Sequence, residues 1–353
     1  MTVCFRCDAN SDIGYGHFYR CLSLADAIHQ QGFTCLFIMA NTSDEIIKIF
    51  NNSRHKLIEM HQDKVINNVG EAENSQLFIE HLTENQVHCQ LLIIDNYQIQ
   101  HQWMMDVKST CNKIMLLNDA GKLLSEIDII WDASCSDESE YKHLNKKTKL
   151  LTGPKYALLR EEFQRRSENQ KLQVHRSQII QPFQLMIAIG ATDPSNTTKK
   201  LLSWLSELSE NITFTILSTT SNQYIPDLKK EFSDESFKFF IDCQNIADIM
   251  QNQHLIITAA GNMMWESFSL GIPCAILKTC ANQSRNITFI KSLMKEVYLG
   301  QEQTLNKAEL VYTLLQLINN TEKLSQLSKQ VLSICDGQGA IRTAEIIAKE
   351  IRG

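Results

Sequence analysis

Val3-Cys4-Phe5-Arg6-Cys7-Asp8-Ala9-Asn10-Ser11-Asp12-Ile13-Gly14-Tyr15-Gly16-His17-Phe18-Tyr19-Arg20-Cys21 runs an apolar strand through a glycine turn into a helix. Val3 to Cys7 has the length and apolarity of a buried strand. Gly14 and Gly16 permit a tight turn close to a ligand, and the spacing of Phe18, Cys21, Leu22, Ala25 and Ile28 predicts a helix that Gly32 ends. First-turn amides and the positive end of the helix dipole favour an anion above His17. Taken alone, such a turn is common in α/β proteins, and it leaves His17 either as a solvated helix-start residue or as a group facing a phosphorylated ligand.

The same alternation continues along the chain. Phe33–Met39, Leu91–Asp95, Lys113–Leu117 and Asp128–Asp132 are apolar runs of strand length separated by segments of helical spacing, the pattern of a parallel sheet covered on both faces. Ligands of such sheets collect at the carboxyl ends of the strands, which directs attention to Asp8, Asp95-Asn96-Tyr97 and Asn118-Asp119. A polar stretch after Gly153–Arg160 reads as a linker. A second series follows with Phe183–Ile189, Ile212–Leu217, Phe237–Ile241, His254–Thr258 and Pro273–Leu277. The expected organisation is a Rossmann-like lobe over 1–163, a linker over 164–182 and a second Rossmann-like lobe over 183–353. The last helix, Ala340–Ile351, is expected to return to the first lobe. The expected fold class is α/β with two parallel-sheet lobes and a cleft between them, the GT-B architecture, which does not by itself fix a reaction.

With 353 residues the chain is too long for one typical core and suits two domains. A net charge of −6 without a basic run argues against a nucleic-acid or anionic-membrane partner. No apolar run approaches the roughly 20 residues that span a bilayer, and no leader-like segment precedes the first strand, so the expected location is cytoplasmic. Eleven scattered cysteines, an odd number, fit a reducing compartment. Cys4-Phe5-Arg6-Cys7 has CxxC spacing inside a strand with no second pair to complete a zinc set, and it reads as structural. The sequence does not set the oligomeric state, and a monomer is compatible with it.

The second half carries features suited to a nucleotide. Ile189-Gly190-Ala191-Thr192-Asp193-Pro194 leaves a strand and opens a helix against which a diphosphate can lie, and the same residues also suit an ordinary turn capped by Asp193 or Thr192. In Thr258-Ala259-Ala260-Gly261-Asn262-Met263-Met264-Trp265-Glu266, small residues end a strand and lead to a lone carboxylate among apolar neighbours. A ribose diol would supply donors to Glu266, and the alternative is a salt bridge within the lobe. Ala281-Asn282-Gln283 adds amide groups at the same sheet edge.

Taken together, these segments resemble the UDP-sugar hydrolase family of the pseudaminic acid pathway, which removes UDP from a 2,4-diacetamido-2,4,6-trideoxy-altrose. The match runs from Val3 to about Gln283. It comprises the glycine-turn histidine, Asp95-Asn96-Tyr97 for an Asp-His-Tyr segment, Gly153–Arg160 with Phe163, the Gly190 loop with its later Asn-x-Thr, Trp265-Glu266, and Asn282-Gln283. Three departures concern sugar specificity more than the reaction: Asn96 for His, Ala191 for a second glycine, and Asn118 where Asp is frequent. The resemblance implies His17 as the catalytic base and attack by water at the anomeric carbon with inversion. It also implies Gly14, Gly16, Tyr97, Gly190, Asp193, Gly261, Glu266, Asn282 and Gln283 as substrate-binding residues. UDP is a good leaving group, so cleavage needs an activated water more than a strong acid, and an imidazole supplies about 10²- to 10⁴-fold as a base. The chain has no Asp-x-Asp segment and no evident His/carboxylate metal set, so neither a metal nor a cofactor is expected. A GT-B glycosyltransferase, with His17 deprotonating an acceptor hydroxyl, is the alternative, and a non-catalytic nucleotide-sugar sensor is a third class.

Overall fold

The computed structural model describes residues 1–9, 15–40, 42–60, 71–119, 121, 126–135, 137–164, 181–208 and 210–353. It divides into two compact units, one formed by Met1–Arg160 with Gln338–Gly353 and the other by Glu161–Gly337. Most of the expected linker, residues 165–180, lies outside the described residues.

The first unit contains β1 (Thr2–Cys7), α1 (Gly16–Gln30), β2 (Thr34–Met39), α2 (Asp44–Asn51), β3 (Lys56–Glu59), α3 (Glu71–Glu84), β4 (Cys89–Asp95), α4 (His101–Val107), β5 (Cys111–Leu117), β6 (Ile129–Asp132) and β7 (Lys149–Thr152). All its strands are parallel, in the order β3-β2-β1-β4-β5-β6-β7, so the order reverses between β1 and β4. Central strands buried on both faces need continuous apolar runs, which Val3–Cys7 and Leu91–Ile94 supply. The register sets Cys7 beside Asp95, bringing the two strands to the same height at the carboxyl edge. Above them α1 is held by Phe18, fully buried between Phe37 and Phe50 at centroid distances of 6.2 and 5.7 Å. Phe37 itself stacks on Phe5 of β1 at 4.6 Å. The residue just before Phe18 is thereby fixed over the strand ends, and Gly32, at φ +87°, ends the turn that follows the helix.

The second unit contains β8 (Phe183–Ala188), α5 (Thr197–Leu205), β9 (Ile212–Ser218), α6 (Ile225–Glu231), β10 (Phe237–Ile241), α7 (Ile246–Met250), β11 (Leu255–Ala259), α8 (Asn262–Ser269), β12 (Cys274–Lys278), α9 (Ser284–Leu293), β13 (Tyr298–Gln301), α10 (Lys307–Ile318) and α11 (Thr321–Ile334). Its six parallel strands run β10-β9-β8-β11-β12-β13, with the reversal between β8 and β11.

The final helix, α12 (Gly339–Arg352), is part of the first unit. It packs on α1 and on the short turn at Pro154–Tyr156. Glu350 pairs with Lys113 at 2.8 Å and with Lys149 at 2.6 Å, and Arg342 donates to the carbonyl of Lys155. A Cβ on Gly339 would fall inside contact distance of the Tyr156 and Ala157 backbone, so the close approach of α12 requires glycine there.

Candidate active site

Open parallel sheets bind ligands where the strand order reverses. In the first unit that point lies between β1 and β4, and His17, in the first turn of α1, sits there. Its Nδ1 lies 2.6 Å from Oδ1 of Asp95, the last residue of β4. Asp95 is fully buried. Burial alone would push its carboxyl up, but the Arg20 guanidinium and His17 outweigh this and hold it well below the usual carboxylate range. An ionised carboxylate only accepts, so Nδ1 carries the hydrogen and donates it to Asp95. In the neutral ring this leaves the lone pair on Nε2.

Arg20, one turn along α1, completes the arrangement. Its Nε and Nη2 donate to the two oxygens of Asp95 at 2.5 Å each, and its Nη1 donates to Oδ2 of Asp119 at 2.5 Å. Burial works against the charged guanidinium, yet Asp119 and Asp95 together hold it well above its ordinary value. Asp119 also accepts from the hydroxyl of Tyr97 at 2.9 Å, and the Tyr97 ring stands edge-on to the imidazole with centroids 4.6 Å apart. The predicted residues His17, Gly16 and Tyr97 are thus neighbours in one cluster. Gly14 falls outside the described residues. Gly16 opens α1, and a Cβ placed on it would meet nothing within 4 Å, so packing within the described residues does not account for glycine there. Asn96, the departure from the family pattern, donates to Asp8 at 2.8 Å and accepts from the amide of Gln98 at 2.7 Å, shaping the loop.

The remaining predicted residues lie in the second unit, at the strand exits and, for Glu266, within α8. Gly190 follows β8 at φ +149°, Gly261 caps α8 after β11, Glu266 is buried on α8, and Asn282-Gln283 follow β12. Asp193, at φ +39°, is turned toward its own helix. Its Oδ1 accepts from the Thr197 amide and its Oδ2 from the Thr198 amide, both at 2.9 Å. Burial pushes the Asp193 carboxyl up against these bonds, and a cap of this kind contributes about 1 kcal/mol. Two of the amides expected to meet a diphosphate therefore already hold a carboxylate. Gln283 likewise accepts from the Thr279 amide at 2.8 Å, and the Cys280 thiol donates to Asn282 at 2.8 Å. Gly261 has open space around a Cβ, as Gly16 does.

Asp95, Arg20 and Asp119 were legible only as strand ends and as part of the opening motif. The signal that marks them is the His17-x-x-Arg20 spacing on one helix face combined with acidic residues closing two adjacent strands. Asn286 left no such signal. It donates to the carbonyl of Ala260 at 2.8 Å and so holds the small-residue loop in place. Among the described residues, no group of three or more His, Cys, Asp or Glu is placed to hold a metal ion, and no helix is long and apolar enough to cross a membrane.

Two Rossmann-like units with seven and six parallel strands define a GT-B-class fold. MurG of Acinetobacter baumannii matches with a TM-score of 0.66 at 12% identity over 99% of both chains. Phytolacca americana UGT2, solved with UDP-2fluoro-glucose and pterostilbene, matches at 0.71 and 10% identity over the whole of both. In sequence, the chain is 28% identical over 306 residues to the UDP-2,4-diacetamido-2,4,6-trideoxy-beta-L-altropyranose hydrolase of Campylobacter jejuni, covering 84% of this chain and 98% of that one. It is 21% identical to the spore coat polysaccharide biosynthesis protein SpsG of Bacillus subtilis, over 98% of each. The motif resemblance therefore extends to similarity along most of the chain. No protein-family model matches.

Proposed function

We propose that this protein is an enzyme that hydrolyses a UDP-linked 2,4-diacetamido-2,4,6-trideoxyhexose, the L-altrose isomer in particular, to the free sugar and UDP in nonulosonic acid biosynthesis. The observation that carries this reading is the His17–Asp95 pair at the strand reversal, which orients the imidazole through Nδ1 where a ligand is expected. The Campylobacter relative supports the substrate class. His17 takes a proton from water as it attacks the anomeric carbon, the carbon–oxygen bond to UDP breaks with inversion, and UDP leaves as the anion. Tyr97 and Asn282 are assigned to the sugar and its acetamido groups. Gly14 and Gly16 are assigned to the substrate, with open space around Gly16, and Gly190, Gly261, Glu266 and Gln283 hold UDP, with Asp193 shaping its loop. Backbone donors meet the developing charge without a metal or cofactor.

Incubation with a panel of UDP-diacetamido-trideoxyhexoses in oxygen-18 water, without acceptor, tests this by NMR. UDP is released and the label enters the sugar. Label in UDP overturns attack at the anomeric carbon. The second reading, a glycosyltransferase, draws on the GT-B fold and on the neighbour solved with a UDP-sugar and a second small molecule. It predicts negligible UDP release until an acceptor is added.

A further inference from the structure

We propose that Arg20 is a positioning residue that offsets the charge of Asp95 at the His17 imidazole, so that Asp95 orients the ring without adding a full negative charge beside it, while Asp119 seats the guanidinium. This rests on the reading of His17 as the base. A carboxylate in contact with an imidazole favours imidazolium, raising its proton affinity by one to three orders of magnitude, roughly. An imidazolium cannot take a proton from water. A buried Asp–His pair alone would therefore orient the base while disabling much of it near neutrality.

The geometry supplies the counterweight. Arg20 Nη2 lies 3.1 Å from Nδ1 of His17, nearly as close as the carboxylate oxygen at 2.6 Å, and one of its two hydrogens is donated to Asp95. A proton added at Nε2 would make a cation in contact with a guanidinium. Both Asp95 oxygens answer to Arg20, while Asp119 takes the remaining guanidinium nitrogen, so that the cation is held but not overcompensated at the imidazole. The Trp131 ring lies 5.4 Å from the guanidinium carbon and completes its seat. Lysine cannot bridge two carboxylates with this fork.

Among the described residues, the titratable groups facing His17 and Asp95 come from three elements. They are Arg20 and Cys21 from α1, Asp95 and Tyr97 from β4 and its exit, and Asp119 from the exit of β5. The Cys21 thiol, 3.5 Å from Asp95, is pushed far up by burial and stays neutral. The fixed charges are thus one guanidinium and two carboxylates.

The test is an NMR titration of histidine-labelled protein without ligand, with the His17 signal assigned by its loss in His17→Asn. Arg20→Gln raises the His17 midpoint by about one pH unit, a tenfold gain in proton affinity. Asp119→Asn lowers it, because Arg20 is then less neutralised. Asp119→Asn leaves the Arg20–Asp95 pair intact, and it decides the matter alone if Arg20→Gln does not fold. A midpoint that stays put or moves the opposite way in either folded variant overturns the proposal. In the enzyme assay the acid limb of kcat follows each midpoint while KM for the UDP-sugar is unchanged. If the midpoints move as stated but the acid limb does not follow, the charge balance stands and the assignment of His17 as base falls.

Discussion

The strand reversals of the two units are built from opposite materials. At β1/β4 charged side chains are spent on one another, through Arg20, Asp95 and Asp119, and converge on a single imidazole. At β8/β11 the polar side chains are spent on their own backbone: Asp193 caps α5 and Asn286 ties down Ala260, while Gln283, beyond the neighbouring β12, closes its own loop. Gly190 is left exposed there and Gly261 half-buried, while Ala188, Ala259 and Ala260 are buried. A side-chain cluster can hold and move a proton, whereas a backbone cradle can bind an anion of any orientation without chemistry. The contrast is the basis for proposing the reaction in the first unit and the nucleotide in the second.

The strongest challenge to that division is His17→Leu, expected to lower turnover about 10²-fold or more while leaving UDP affinity nearly unchanged, since the base acts only on the chemical step. Wild-type turnover in a folded His17→Leu protein, followed by UDP release, would remove the chemistry from the first unit. Asp95→Asn comes next, with turnover expected to fall roughly 30-fold through loss of the fixed tautomer. The same variant carries a pH signature. The Asp95 carboxyl is held low in the folded chain, so its contribution to stability is complete above about pH 4 and is lost as pH falls through and below that value. Thermal unfolding of Asp95→Asn across this range should therefore show a shallower acid decline than wild type, and an unchanged decline would mean Asp95 is not held low.

Glu266→Ala sharpens the other side. UDP affinity by calorimetry is expected to weaken about tenfold with turnover at saturating substrate largely kept. Unchanged affinity in a folded variant moves Glu266 to a structural role. The smallest effect expected is none: UDP release in excess EDTA should match the untreated rate, because amide donors meet the diphosphate charge. Loss on chelation with recovery in magnesium or manganese would contradict a cradle made of backbone.

The central strands and the helix after each were readable because burial on both faces forces continuous apolar runs, as in Leu91–Ile94 and Leu255–Ile257. The strands that escaped, β3, β7 and β13, are four residues long and lie at sheet edges, where Lys56 and Lys149 stay exposed and no apolar run is needed. His17 and Tyr97 were legible from motif and strand-end position. The role of Arg20 was not, because its meaning depends on Asp95 and Asp119, residues 75 and 99 positions away in the chain. Asp193 shows the converse, since a carboxylate at a helix start reads equally as ligand contact or cap, and its two amide bonds come from residues four and five positions on, which show only in the folded chain.

The return of α12 to the first unit has a consequence for how the protein is made. The sheet that carries His17 is complete once Arg160 has been synthesised, yet the helix that covers α1 belongs to residues 338–353. At ordinary ribosomal rates the whole second unit must be translated in between, an interval on the order of ten seconds or more. During that interval the face of α1 that α12 will cover, and the Pro154–Tyr156 turn that receives Gly339, wait uncovered on the nascent chain. A premature stop that removes only the last helix would therefore damage the unit translated first, while the unit translated just before it would be complete.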